Sequence, residues 1–219
     1  MVSEIRRLHL ARLSVAEGVQ WPVHGFVVLH EQGAVLVDTG VGGPEQVLND
    51  WRVVNRSVAD ALAEIDLSPA DITAVINTHL HFDHCGQNAV FSHAPWYVQR
   101  AEDERARRES ADLYGWFGFM SARFELLDGD AEVLPGLRVI ATPGHTSGHQ
   151  SVLVATPTGM DVLIGDAAYT SLQFTGPADA ELPDGQAADL ASWRDSLARI
   201  RSIGPDRVHF CHDTAVVGG

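Results

Sequence analysis

Short apolar runs, each cut off by Gly, Asp, Thr or Pro, recur along the chain at Phe26 to Leu29, Ala34 to Val37, Ile72 to Ile76, Val152 to Ala155 and Val162 to Ile164. Runs this short, ended by turn formers, predict buried strands. Elsewhere the spacing switches to the helical period. Val58, Leu62 and Ile65 follow Ser57, a residue type that caps helix N-termini, and Leu190, Trp193, Leu197 and Ile200 share one face of a later helix. Each helix therefore has one apolar face to bury against a sheet. Strands dominate the first 55 residues. The runs Ile72 to Ile76 and Val162 to Ile164 pass directly into polar loops bearing His or Asp, and sites are commonly built on such loops. The stretch Thr175 to Gly185, rich in Gly, Pro and Asp, reads as a surface loop. No repeat or low-complexity tract divides the chain, so a single domain, 1–219, is expected. The charged run Glu102 to Glu109 reads as the solvated face of a helix, with no function assigned.

Composition narrows the function classes. An apolar fraction of 45% over 219 residues supplies one substantial core. Fifteen Lys plus Arg against 29 Asp plus Glu leave a formal charge of -14. Phosphate backbones and anionic bilayers would be repelled, so neither nucleic acid nor membrane is an expected partner. Met1 to Leu10 alternates charged and apolar residues, and no apolar run approaches the roughly 20 residues of a membrane span, which predicts a soluble, cytoplasmic protein. Only Cys85 and Cys211 are present, in keeping with a reducing compartment. Both adjoin interesting histidines, and both read as small buried apolar residues, not ligands.

The chemistry is concentrated in a few loops. His79-Leu80-His81-Phe82-Asp83-His84 packs three imidazoles and a carboxylate into six residues. In an extended segment His79, His81 and Asp83 share one side at a period of two, while His84 can turn toward a second centre. One segment can thus serve two metal ions. Imidazole and carboxylate donors suit zinc, and also iron, manganese or cobalt. His145 and His149 sit in the Gly-rich turn Pro143-Gly144-His145-Thr146-Ser147-Gly148-His149; His145 reads as a further ligand and His149 as a residue that orients a ligand by hydrogen bonding. Ile164-Gly165-Asp166 and Phe210-Cys211-His212-Asp213 end strands in a carboxylate and an imidazole. Two close ions need a bridging carboxylate, which makes Asp166 and His212 candidates for the remaining places.

Val35-Leu36-Val37-Asp38-Thr39-Gly40, the HLHFDH hexapeptide, PGHTSGH, Gly165-Asp166 and Cys211-His212-Asp213 resemble, in order, the five motifs of the metallo-β-lactamase superfamily. The resemblance spans nearly the whole chain. It implies an α/β fold, the αββα sandwich of two mixed β-sheets face to face with helices outside. It implies one metal on His79, His81 and His145, another on Asp83, His84 and His212, and Asp166 with a hydroxide bridging, while Asp38 supports from behind. That hydroxide would be the nucleophile.

Within the superfamily, the segments Asn77 to Asn88, Val98-Gln99-Arg100, Glu132 to Gly136 and Gly165-Asp166-Ala167-Ala168-Tyr169-Thr170 are similar to the N-acyl homoserine lactone lactonases. The similarity implies opening of a small acyl lactone and degradation of a quorum signal, with Tyr169, three residues after the bridging aspartate, assisting at the carbonyl. The chain looks shorter than that family near its N-terminus and between Gly40 and Ser57, where the pocket is shaped. The aromatic group Tyr114, Trp116, Phe117, Phe119 and Met120 is a candidate pocket wall, with core packing or a dimer contact as alternatives, so monomer and homodimer both stay open. Two alternative activities share most ligands. A glyoxalase II-like thioesterase commonly binds glutathione through a C-terminal helical extension, and only seven residues follow His212 here. A persulfide dioxygenase holds a single iron. Flavodiiron proteins are disfavoured because they carry a glutamate where His81 stands.

Overall fold

The computed structural model describes residues 4–109, 115–116, 118–119, 121–177 and 185–218. Its strands are β1 Glu4–Ala16, β2 Val19–His30, β3 Gly33–Val37, β4 Val54–Asn55, β5 Ile72–Ile76, β6 Trp96–Gln99, β7 Phe124–Leu127, β8 Ala131–Leu134, β9 Leu137–Ala141, β10 Gln150–Thr156, β11 Gly159–Leu163, β12 Arg207–His209 and β13 Val216–Gly218. They form two mixed sheets, ordered β4-β1-β2-β3-β5-β6-β7 and β13-β12-β11-β10-β9-β8. The strands β3, β5, β6 and β7 run parallel, as do β11 and β12.

Strand alternation divides each apolar run between two cores. Phe26, Val28, Val35, Val37, Ala74 and Ile76 meet Leu137, Val139, Val152, Val154 and Leu163 between the sheets. Their neighbours Val27, Leu36 and Val75 turn outward onto Val58, Ala61, Leu62 and Ala106. On the other side Ile140, Leu153 and Val162 pack under Trp193, Leu197 and Ile200. Strands buried on both faces need apolar residues at every position, which is why the runs are continuous. The result is helix, sheet, sheet, helix: the αββα sandwich expected from the motifs.

Both expected helices form. Ser57 accepts a hydrogen bond from Ala59 N (3.2 Å) at the start of the helix Val58–Ala63. Asp189 caps Leu190–Ile203, which ends on Gly204 in the left-handed region. The charged run departs from expectation. It lies on the helix Arg100–Glu109, but Glu102, Asp103 and Arg105 are buried. Arg105, one turn on, pairs with Glu102 and makes that burial tolerable.

Candidate metal centre and active site

Each candidate ligand follows a strand end or a turn on one rim. Asp38 follows β3; His79, His81, Asp83 and His84 follow β5; Asp166 follows β11; His212 follows β12. His145 sits in the turn between β9 and β10. The helix Phe82–Cys85 begins just after His81, so Asp83 and His84 leave the extended part of the hexapeptide in another direction.

Two donor groups result. His79 Nε2, His81 Nδ1 and His145 Nε2 lie 2.9–3.2 Å from one another. His79 and His145 are buried and His81 is half-buried, and desolvation pulls His81 down to about 3, with His145 and Arg105 adding to the effect. A single ring N–H cannot satisfy all three mutual contacts, whereas one cation accepts all three lone pairs. Nitrogens about 2.0 Å from one tetrahedral ion stand about 3.3 Å apart, slightly wider than the spacing here. In the second group, Asp83 Oδ2 lies 3.7 Å from both His84 Nε2 and His212 Nε2. Asp166 faces both groups: Oδ2 is 3.3 Å from His145 Nε2 and 3.7 Å from His79 Nε2, while Oδ1 is 3.4 Å from His84 Nε2 and 3.3 Å from His212 Nε2. His84 Nε2 and Asp166 Oδ1 are buried without a hydrogen-bond partner. Buried donors and acceptors are rarely left so, and a shared cation would satisfy both. The donor set therefore fits metal.

The remaining ring nitrogens are anchored. His84 Nδ1 donates to Asp38 Oδ2 (2.9 Å), while Asp38 also accepts from Thr78 N (2.8 Å) and Thr78 Oγ1 (2.7 Å). His212 Nδ1 donates to Pro22 O (2.9 Å) and His145 Nδ1 to Gln186 O (3.1 Å). His149 Nε2 accepts from the Asp166 amide (2.9 Å), and its Nδ1 donates to Thr142 O (3.1 Å). Such bonds fix the tautomer and aim of each donor. Cys85 and Cys211 are free and buried, and burial pushes the Cys211 thiol up to about 12. Gln186, which the sequence did not single out, holds two donors at once: its carbonyl takes His145, and its Nε2 donates to Asp166 O (2.6 Å).

Above the donors opens a cavity of about 520 Å³. Leu13, Val15, Trp21, Trp51 and Phe82 form its apolar wall, and Tyr169 stands at its floor. The Tyr169 ring is 5.7 Å from that of His145 and 5.4 Å from that of His212, so it overlooks both groups. Its hydroxyl donates to Gly185 O (3.3 Å), and burial, with Asp166 and Asp83, raises its pKa and keeps it protonated. The aromatic segment does not line this cavity among the described residues. Trp116 is 47% exposed, and Phe119 packs edge-on against Trp96 at 5.3 Å, under the outer core of the first sheet. Tyr114, Phe117 and Met120 lie outside the described residues. The wall comes instead from the β1–β2 hairpin and from Trp51, the two regions where the chain looked short.

Fold and donor groups together are those of a metal-dependent hydrolase. The model of the metallo-beta-lactamase superfamily matches residues 18–212, and the chain belongs to that superfamily. It is 34% identical over 178 residues to an N-acyl homoserine lactonase of a Bacillus species, covering 74% of this chain and 70% of that one. It is 28% identical to an N-acyl homoserine lactonase of Rhizobium radiobacter, with 97% of this chain and 88% of the relative aligned. Among solved structures it is similar to an N-acyl homoserine lactone hydrolase with the product N-hexanoyl-L-homoserine at its catalytic metal centre. There the TM-score is 0.82 at 26% identity, covering 98% and 95% of the two chains.

Proposed function

We propose that this chain is an N-acyl homoserine lactone lactonase, a hydrolase that opens the lactone ring of a quorum signal. The single observation that carries this reading is Tyr169 standing over both donor groups at the floor of an apolar cavity. In this reading His79, His81 and His145 would hold one divalent ion, Asp83, His84 and His212 the other, and Asp166, which faces both groups, would serve both. Zinc is the proposed metal, on a donor set of five imidazoles and two carboxylates without thiolate. When bound, two such ions would supply a strongly acidified water as nucleophile and polarise the attacked carbonyl. The chain's own residues do the rest. Leu13, Val15, Trp21, Trp51 and Phe82 take the acyl tail, which positions the ring over the donors. Tyr169 turns its proton from Gly185 O to the carbonyl oxygen as negative charge develops there. Asp38 and His149 hold His84 and Asp166 in place.

A single domain carries the whole site, since both sheets share one inner core and both supply donors. We place the protein in the cytoplasm, a reading supported by two buried free thiols. No helix among the described residues is long and apolar enough to cross a membrane. A glutathione thioester is disfavoured because the described cavity wall contains neither Lys nor Arg to meet its carboxylates. The experiment is an assay of anaerobically purified, metal-quantified protein on lactones of short and long acyl chain and on a thioester. Lactone opening is expected. Thioester cleavage without lactone opening, or a single iron per chain, would contradict the proposal.

A further inference from the structure

The carboxylate of Glu102 lies outside the donor set, is fully buried, and touches the segment that carries two donors. Its Oε1 accepts from the Leu80 amide at 2.9 Å, between His79 and His81. The same oxygen accepts from Arg105 Nε (3.1 Å) and Nη2 (2.6 Å). Its backbone meets the loop that carries the third imidazole: a Cβ on Gly148 would lie 2.1 Å from Glu102 N and 2.5 Å from Glu102 Cα. The Thr146 hydroxyl, beside His145, adjoins the carboxylate as well. A buried charge is costly; here Oε1 carries the bonds to Leu80 and Arg105 while Oε2 has no hydrogen-bond partner, so those bonds are what hold the carboxylate in place.

We infer that Glu102 is a positioning residue for the first metal site, fixing the backbone between His79 and His81 against the His145 loop so that three imidazoles reach one point. The Leu80 bond sets the turn that lets alternate side chains converge. The contact at Gly148 sets the distance to His145. In the second group, His84 and His212 are instead held through Asp38 and Pro22. The inference rests on the two-ion reading above.

The test separates a backbone brace from a charge effect. Glu102→Asp keeps the charge but is one methylene short of the Leu80 amide; Glu102→Gln keeps the reach and an acceptor oxygen but loses the charge. Metal-depleted protein is titrated with cobalt(II) against a chelator of known affinity, with circular dichroism to verify the fold. Glu102→Asp should weaken one of the two ions about 10- to 100-fold and leave the other unchanged, while Glu102→Gln should stay within about threefold of wild type for both. Gly148→Ala reaches the same contact from the other side and should weaken the same ion, which keeps the test open if Glu102→Asp does not fold. Folded Glu102→Asp and Gly148→Ala proteins with wild-type affinities would overturn the inference, as would a Glu102→Gln loss equal to that of Glu102→Asp. A wild type that binds only one ion would instead overturn the two-ion reading.

Discussion

At the scale of single residues, Asp166 faces both donor groups, as a carboxylate shared by two ions would: Oδ2 faces His145 and His79, and Oδ1 faces His84 and His212. Its backbone is fixed from both sides, by His149 at the amide and by Gln186 at the carbonyl. Tyr169 is proposed to act on the substrate side. Tyr169→Phe should keep both metals and lower kcat on an acyl homoserine lactone by about tenfold to 100-fold with little change in KM, because the hydroxyl's bond strengthens only in the transition state. Steady-state kinetics with metal analysis checks this. His24 makes a different prediction. Burial first, then Arg7, pulls its pKa from 6.5 to about 4 in the fold. The unfolded chain therefore takes up the proton first, so this contribution to stability is present above about pH 6.5 and is lost as pH falls toward 4. His24→Gln should flatten the dependence of denaturation midpoint on pH in that window. The donor residues were legible because imidazoles and carboxylates crowd into short motifs. Gln186 and Glu102 were not, since both act through backbone groups, which leave no pattern in side-chain type.

Among the elements, the helix Phe82–Cys85 is the most exacting, because it carries Asp83 and His84 and is laced to the loop after β3. Thr39 N donates to His84 O (2.7 Å), Gly42 N to Phe82 O (2.9 Å) and Gly86 N to Gly40 O (2.9 Å). A Cβ on Gly86 would fall 1.8 Å from Gly42 N, so only glycine permits this approach. Gly86→Ala should cost about 1 to 3 kcal/mol of stability and weaken the ion on Asp83 and His84; thermal denaturation and metal titration read the two effects. Buried strands and capped helices were visible in the sequence, as continuous apolar runs and as Ser57 before a period-3.6 pattern. The full length of β1 was not, because register shifts between His9 and Ala11 and between Ser14 and Ala16 break the alternation seen in Met1 to Leu10. The run Glu102 to Glu109 was legible as a helix but misleading as a solvated face, since an internal arginine lets a carboxylate go inside.

Across the whole molecule, the site joins the two sheets. His79, His81, Asp83 and His84 come from the first sheet's rim, and His145, Asp166 and His212 from the second's. Metal bound there would clamp the sandwich at one end, where His24 N also donates to Cys211 O across the sheets (2.9 Å). Removing metal with a chelator should therefore lower the melting temperature as well as activity, and restoring it should recover both. An unchanged melting temperature after verified removal would show that the sheets hold without the ions. The sandwich itself was implied by the resemblance of the five motifs, and the run of buried strands agreed with it. The pocket wall did not follow, because Leu13, Trp21 and Trp51 are brought together only by the hairpin and the loop beyond β3. The most direct measurement is a titration of metal-free protein with zinc(II) while following the opening of N-hexanoyl homoserine lactone. Activity should rise until about two ions per chain are bound and then level off, as the two donor groups require. Saturation at one ion, or no lactone opening at any metal content, would contradict the account.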